Sequence, residues 1–248
     1  MIVLKSEDEI KKMAESCRIV AEVFEGIKKK ISPGVSTKEI NEFAESYIIS
    51  RGARPAFKGY RGYPASVCTS INEQVVHGIP SSQKLREGDI ISLDIGVFYK
   101  GFYGDAAVTL PVGSVSNQAM KLISVTEKAL EAGMERAVAG NRLSDISSAI
   151  QGCVEAEGFS IVRSFVGHGI GRELHEEPQI PNFGKPGEGP ELRPGMTLAI
   201  EPMVNEGGWE VVILNDGWTA VTKDRSLSAH FEHTVAITKN GCNILTKL

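Results

Sequence analysis

Four acids stand where apolar strands should carry none. Asp94 interrupts Ile90-Ile91-Ser92-Leu93-Asp94-Ile95, and Asp105 follows 11 residues later on the returning strand of the same apparent hairpin. Glu201 breaks Leu198-Ala199-Ile200-Glu201-Pro202-Met203, and Glu232 lies between Phe231 and His233, just before Thr-Val-Ala-Ile. A buried, ionised carboxylate without a partner shifts its pKa or finds a cation. One such acid reads most simply as a strand-end residue turned to solvent. Four, two in each half of the chain, would repel one another unless a multivalent cation held them. Carboxylates with one imidazole suit borderline divalent ions such as Mn, Fe, Co or Zn. Four acids exceed the need of a single ion. A pair of metals about 3.5–4 Å apart uses them, two carboxylates reaching both.

The nitrogen ligand is expected from His168, in Val166-Gly167-His168-Gly169-Ile170-Gly171, where flanking glycines let a backbone come close. That run lacks a Walker lysine and no Rossmann acid follows it, so a phosphate loop is set aside. His77, in Val75-Val76-His77-Gly78-Ile79-Pro80, and His175, opening His175-Glu176-Glu177-Pro178, could donate to a developing oxyanion or a leaving nitrogen. No HExxH pattern links His168 to His175, which excludes a thermolysin-like site. His230 and His233 flank Glu232, and strand alternation is read as placing both on the face opposite it, outside the ligand set.

The elements that must position these residues follow from periodicity. Helices are expected over 6–31 and from about 36 to 50, each opened by a capping-box pair, Ser6 with Glu9 and Ser36 with Glu39. Strands are expected at 66–71, 89–99 and 102–110, then helices over 116–139 and 144–157. Past these the segments IVRSFV, MTLAIEPMV, WEVVIL, WTAVT and AHFEHTVAIT each read as one strand, and 181–195 as a surface loop. Strands come in hairpins rather than in βαβ alternation, so the fold class is α+β with mainly antiparallel sheet. The 248 residues amount to about 1.7 domains by the usual length prior. The coarse repetition suggests two similar halves, roughly 1–115 and 116–248, of a single domain.

Composition excludes other classes. An apolar content of 42% supports a sizeable core and rules out wholesale disorder. The net charge of −4 argues against nucleic-acid binding, which needs clustered cations. The run Lys28-Lys29-Lys30 closes a helix, where it suits the dipole. Cys17, Cys68, Cys153 and Cys242 form no CxxC pair, which excludes a zinc ribbon and disfavours a disulfide framework. The acidic MIVLKSEDEIKK start lacks the apolar run of a signal peptide, so a cytoplasmic protein is expected.

With these residues in view, the stretches YRGYPASVCTSINEQVVHGIP, GDIISLDIGVFYKGFYGDAAVTL, FVGHGIGRELHEEPQIPNFG, RPGMTLAIEPMVN and FEHTVAITKNG resemble the motifs of the type I methionine aminopeptidases, in that family's order. The short, bacterial form is the one resembled. The resemblance implies the pita-bread fold and a two-metal centre, with Asp94 and Asp105 as ligands, Asp105 and Glu232 bridging, and His168 and Glu201 completing the second site. It implies that His77 and His175 contact substrate, that Glu201 shuttles a proton, and that Tyr60, Tyr63, Cys68 and Trp218 line a methionine pocket. The implied activity is removal of an initiator methionine preceding a small residue. The implied partners are nascent chains, including those at the ribosome, met by a monomeric enzyme. Leu174 stands where a Phe often precedes HEEP, and Phe57 at a site that varies, so the pocket is expected to differ in shape. Prolidases and aminopeptidases P share this fold but usually carry an extra N-terminal domain.

Overall fold

A computed structural model describes residues 1–247. Two helices come first, α1 (Glu7–Lys28) and α2 (Thr37–Ser50), the former ending three residues before the expected boundary. Both begin with a closed capping box: Ser6 and Ser36 accept the amides of Glu9 and Glu39, whose carboxylates accept the serine amides in return. Each box satisfies two N–H groups that the first helical turn leaves free.

Short strands β1 (Arg54–Pro55), β2 (Cys68–Ile71) and β3 (Gln74–Val76) precede a long hairpin, β4 (Ile90–Tyr99) and β5 (Phe102–Pro111). The hairpin turns at Lys100-Gly101, both with positive φ, as the tight connection requires. A second helix pair follows, α3 (Asn117–Arg136) and α4 (Leu143–Ala156). The remaining strands are β6 (Ser160–Ile161), β7 (Gly167–Gly169), β8 (Glu176–Ile180), β9 (Thr197–Ile200), β10 (Met203–Asn205), β11 (Val211–Ile213), β12 (Ala220–Thr222), β13 (Ser228–His230), β14 (Glu232–Thr238) and β15 (Gly241–Ile244).

The main sheet runs β1-β4-β5-β14-β9-β7-β8, with β2 beside β4 and β15 beside β14. Two three-stranded sheets, β13-β10-β6 and β11-β12-β3, accompany it. All strand pairings among the described residues are antiparallel. One face of the main sheet carries the helices. Ile91, Leu93 and Ile95 of β4 pack with Val20, Phe24 and Ile27 of α1 and Ile40 of α2. Leu198 and Ile200 of β9 and Val235 and Ile237 of β14 pack with Leu122 and Leu130 of α3 and Ile146 of α4. Fully burying each such side chain is worth about 1.5–3 kcal/mol, so this alternation fixes the strand register. It also sends every second residue to the other face.

Two expected strands are each broken in two. MTLAIEPMV passes from β9 in the main sheet to β10 in a small one, and AHFEHTVAIT passes from β13 to β14 in the reverse sense. The breaks fall at Glu201-Pro202 and at Phe231. Proline has no N–H to give a ladder, which ends β9 there. The two crossings run side by side, with Phe231 N donating to Pro202 O at 3.3 Å. IVRSFV, expected as one strand, pairs only through Ile161 before β7 begins at Gly167.

Candidate metal centre

Five adjacent strands each bring one ligand-type residue to the face opposite the helices. Asp94 on β4 pairs with Ala107 on β5, and Ala107 pairs with Glu232 at the start of β14. Asp105 lies two residues from Ala107, hence on the same face. The pair His233–Ile200 carries Glu232 alongside Glu201 at the end of β9, and His168 on β7 pairs with Ala199, two residues from Glu201. The small Ala107 and Ala199 leave the space between the charged side chains open.

The glycines around His168 have a structural reason. A Cβ on Gly167 would strike the Ala199 carbonyl, and one on Gly169 would strike the Glu177 carbonyl. Side-chain-free residues therefore let β7 sit tightly between β9 and β8. His168 Nδ1 lies 2.9 Å from the Gly169 carbonyl, which can only accept, so Nδ1 carries the proton. Burial pushes the ring's pKa down to about 4. The imidazole is then neutral, with the Nε2 lone pair free and 3.5 Å from Glu201 Oε1, a ligand held in its tautomer by its other nitrogen.

The acids are held far from their ordinary state. Burial, then the charge of Asp105, pushes Glu201 up; burial, then the charges of Asp105, Glu201 and Asp94, pushes Glu232 up. Asp94 is raised well above the carboxylate range by burial and by Asp105 and Glu201, and Asp105 is raised by burial to about 7. Asp94 Oδ1, Asp105 Oδ1 and Glu232 Oε1 are buried with no hydrogen-bond partner among the described residues. Donor atoms of Asp105, His168 and Glu232 lie within 4.8 Å of one another. Unpartnered buried carboxylate oxygens around one imidazole are what a divalent cation would satisfy. The residues fit a metal.

The same carboxylates and His168 line a cavity of about 160 Å³ with His77, His175, Tyr60, Tyr63, Cys68 and Trp218, so all the candidate ligand and substrate-contact residues border one space. Cys68 on β2 pairs directly with Asp94, which joins the apolar wall to the acidic floor. Tyr63 and Trp218 meet edge to face at 5.2 Å, and Tyr63 Oη donates to the Gly78 carbonyl at 2.9 Å. The His175 ring lies 4.3 Å from that of His168, and its Nδ1 is 2.8 Å from Tyr60 Oη. Burial, then His168 and Arg61, drives its pKa down to about 3. His77, also lowered by burial, packs edge-on against Phe165 at 5.4 Å.

Residues 11–239 match the sequence profile of metallopeptidase family M24. The chain belongs to that family. A curated relative, methionine aminopeptidase 1 of Bacillus subtilis, is 54% identical over 248 residues, covering 100% of both chains. The solved structure of a methionine aminopeptidase from Thermotoga maritima superposes with a TM-score of 0.98 at 50% identity, again over 100% of both chains. A prolidase from Pyrococcus horikoshii shares the fold at a TM-score of 0.81 and 25% identity, but this chain spans only 64% of it. The M24 fold of this chain is the pita-bread fold.

Within this M24 site, His230 requires a correction. It was placed with His233 on the face away from Glu232, yet it ends β13, is 1% exposed, and turns Nε2 to within 3.6 Å of Glu201 Oε2. Plain alternation accounts for this, since His230 is two residues from Glu232 and shares its side, whereas His233, one residue on, points away with its Nδ1 2.8 Å from Thr246 Oγ1. Three further residues went unnoticed in the sequence. Arg61 lines the cavity, Phe165 backs His77, and Asn182 donates to the Glu201 carbonyl at 2.9 Å. All three lie inside the quoted stretches, Arg61 in YRGYP and Phe165 and Asn182 in FVGHGIGRELHEEPQIPNFG, which was the one signal available. Among the described residues, no helix is long and apolar enough to cross a membrane.

Proposed function

We propose that this chain is a methionine aminopeptidase of the bacterial type I, removing the N-terminal methionine of polypeptides whose second residue is small. The observation that carries this reading is the convergence of five oxygen and nitrogen donors on a cavity walled by Tyr60, Tyr63, Cys68, Leu174 and Trp218. Asp94, Asp105, His168, Glu201 and Glu232 would hold two divalent ions drawn from Co, Mn, Fe or Zn, with Asp105 and Glu232 serving both. Bound there, such ions supply Lewis acidity and a water acidified toward neutrality.

The protein's own groups do the rest. Glu201, whose pKa is raised, takes the proton of the attacking water and returns it to the leaving nitrogen. With the Tyr60 phenol donating to Nδ1, the neutral His175 ring carries its proton on Nε2 and donates it to the developing oxyanion. His77 donates to the peptide and is steadied by Phe165 and Trp218. The methionine thioether lies against the Tyr63–Trp218 pair and Cys68, whose thiol burial keeps protonated. The halves 1–115 and 116–248 each give carboxylates to the shared centre. The setting is cytoplasmic: a monomer meeting nascent chains, including those at the ribosome.

Peptide cleavage tests this. The chain should release methionine from Met-Ala-Ser far faster than from Met-Leu-Ser and should leave Ala-Pro peptides intact. Cleavage of Ala-Pro substrates at comparable rates would assign a prolidase-type activity instead.

A further inference from the structure

We propose that Lys5 is a positioning residue for His175, the buried Lys5–Glu176 ion pair fixing the turn that aims the imidazole into the cavity. The inference rests on the role given to His175 above. Lys5 precedes α1, yet its side chain is only 3% exposed and its partner Glu176 only 12%. Lysine is almost never this buried unless paired. Its backbone amide donates to the Gly195 carbonyl at 2.7 Å, and Nζ donates to the Val3 carbonyl at 3.3 Å besides meeting Glu176.

Glu176 uses both oxygens. Oε2 meets Lys5, while Oε1 accepts the amides of Arg172 at 2.8 Å and Glu173 at 3.2 Å. One carboxylate therefore closes the 172–176 turn around itself, with His175 the residue immediately before it. Gly171 completes the seat: a Cβ there would lie 2.7 Å from Glu176 Oε1 and 2.8 Å from Lys5 Nζ. The last glycine of the Gly167–Gly171 run thus makes room for the ion pair rather than for a ligand. A second tie, Arg172 to Glu9 at 3.0 Å, joins the same turn to the start of α1, but it is exposed and weak. The buried pair differs, because removing one partner strands a charge and the turn must rearrange. A displacement of about 1 Å at a catalytic group can cost on the order of 10²-fold in rate.

The test compares metal-loaded enzyme carrying Lys5→Met, Gly171→Ala, His175→Ala and the Lys5→Met/His175→Ala pair, with kcat and KM measured on Met-Ala-Ser. Lys5→Met should lower kcat by roughly 10- to 100-fold with little change in KM, the pattern of an interaction felt in the transition state. In the His175→Ala background the same substitution should cost no more than about twofold, as expected for residues acting as a unit. Gly171→Ala keeps both charges but crowds their seat, and should reproduce the effect if Lys5→Met does not fold. A folded Lys5→Met enzyme with unchanged kcat, or an equal loss with and without His175, overturns the inference alone. No loss in His175→Ala itself overturns the role of His175, and this inference with it.

Discussion

Loading the metal centre should expel protons. At pH 7 Asp105, raised to about 7, is roughly half protonated, and Asp94, Glu201 and Glu232 are held well above the ordinary carboxylate range by burial and by one another. His168, at about 4, is already neutral and gives up nothing. Ligation requires ionised carboxylates, so roughly one to three protons should leave per chain. Each proton released makes the apparent affinity rise about tenfold per pH unit, ~1.4 kcal/mol. The linkage has a definite sign. Raised carboxylates stabilise the metal-free fold fully below their ordinary values, and that contribution is lost as pH rises through the raised ones. The buried His168, His175 and His230, lowered to about 4, 3 and 3, act oppositely; their contribution is complete above about pH 6.5 and fades as pH falls. From pH 7 to 9 these histidines no longer change. The buried thiols of Cys17 and Cys68, pushed up by burial, lose stability alike in chelated and loaded chain, so the Tm of the chelated chain should fall more than that of the loaded chain. Titration calorimetry at pH 7 in buffers of different ionisation enthalpy counts the protons. A net release of zero, or an affinity unchanged between pH 6 and 8, would refute the buried-carboxylate argument.

Other consequences concern packing. Ala107→Leu adds methyl groups between Asp94 and Glu232 without removing a ligand, and should abolish metal uptake while circular dichroism stays native; elemental analysis showing normal uptake would contradict the register described. Gly104→Ala would set a Cβ 2.7 Å from Cys17 Sγ and 2.8 Å from its backbone nitrogen, forcing α1 off β5. Urea unfolding should show a loss of about 1–3 kcal/mol, as for other overpacked sites, against under 0.5 if the contact is slack. Trp218→Ala removes one wall of the thioether pocket and should raise KM for methionyl peptides by roughly tenfold, on the scale of a lost apolar contact. An unchanged KM would place the methionine side chain elsewhere.

The acids were legible because a charged residue inside an apolar strand is exceptional on energetic grounds, and Asp94 and Asp105 do lie inside β4 and β5. The helix starts were legible because Ser6–Glu9 and Ser36–Glu39 carry a local signature whose partners lie three residues apart. What alternation could not reveal was a chain that changes sheet. Glu201 and Glu232 sit at such crossings. His230 is a different case: it is two residues from Glu232 and shares its side by plain period-2 counting, so setting it beside His233 miscounts the period. Pro202 marked one break, but nothing local marks Phe231. Lys5 was equally hidden, since its partner is 171 residues away and no local pattern announces an ion pair formed by folding.

We propose that Asp94, Asp105, His168, Glu201 and Glu232 hold divalent ions and that methionine release depends on them. The most direct test is release of free methionine from Met-Ala-Ser by chelated chain, by the same chain reloaded with Mn or Co, and by Asp105→Ala treated identically. Activity should vanish on chelation, return on reloading, and fail to return in Asp105→Ala. Methionine release at the full rate by the chelated chain, or by Asp105→Ala, would show that these residues do not hold a metal needed for the reaction.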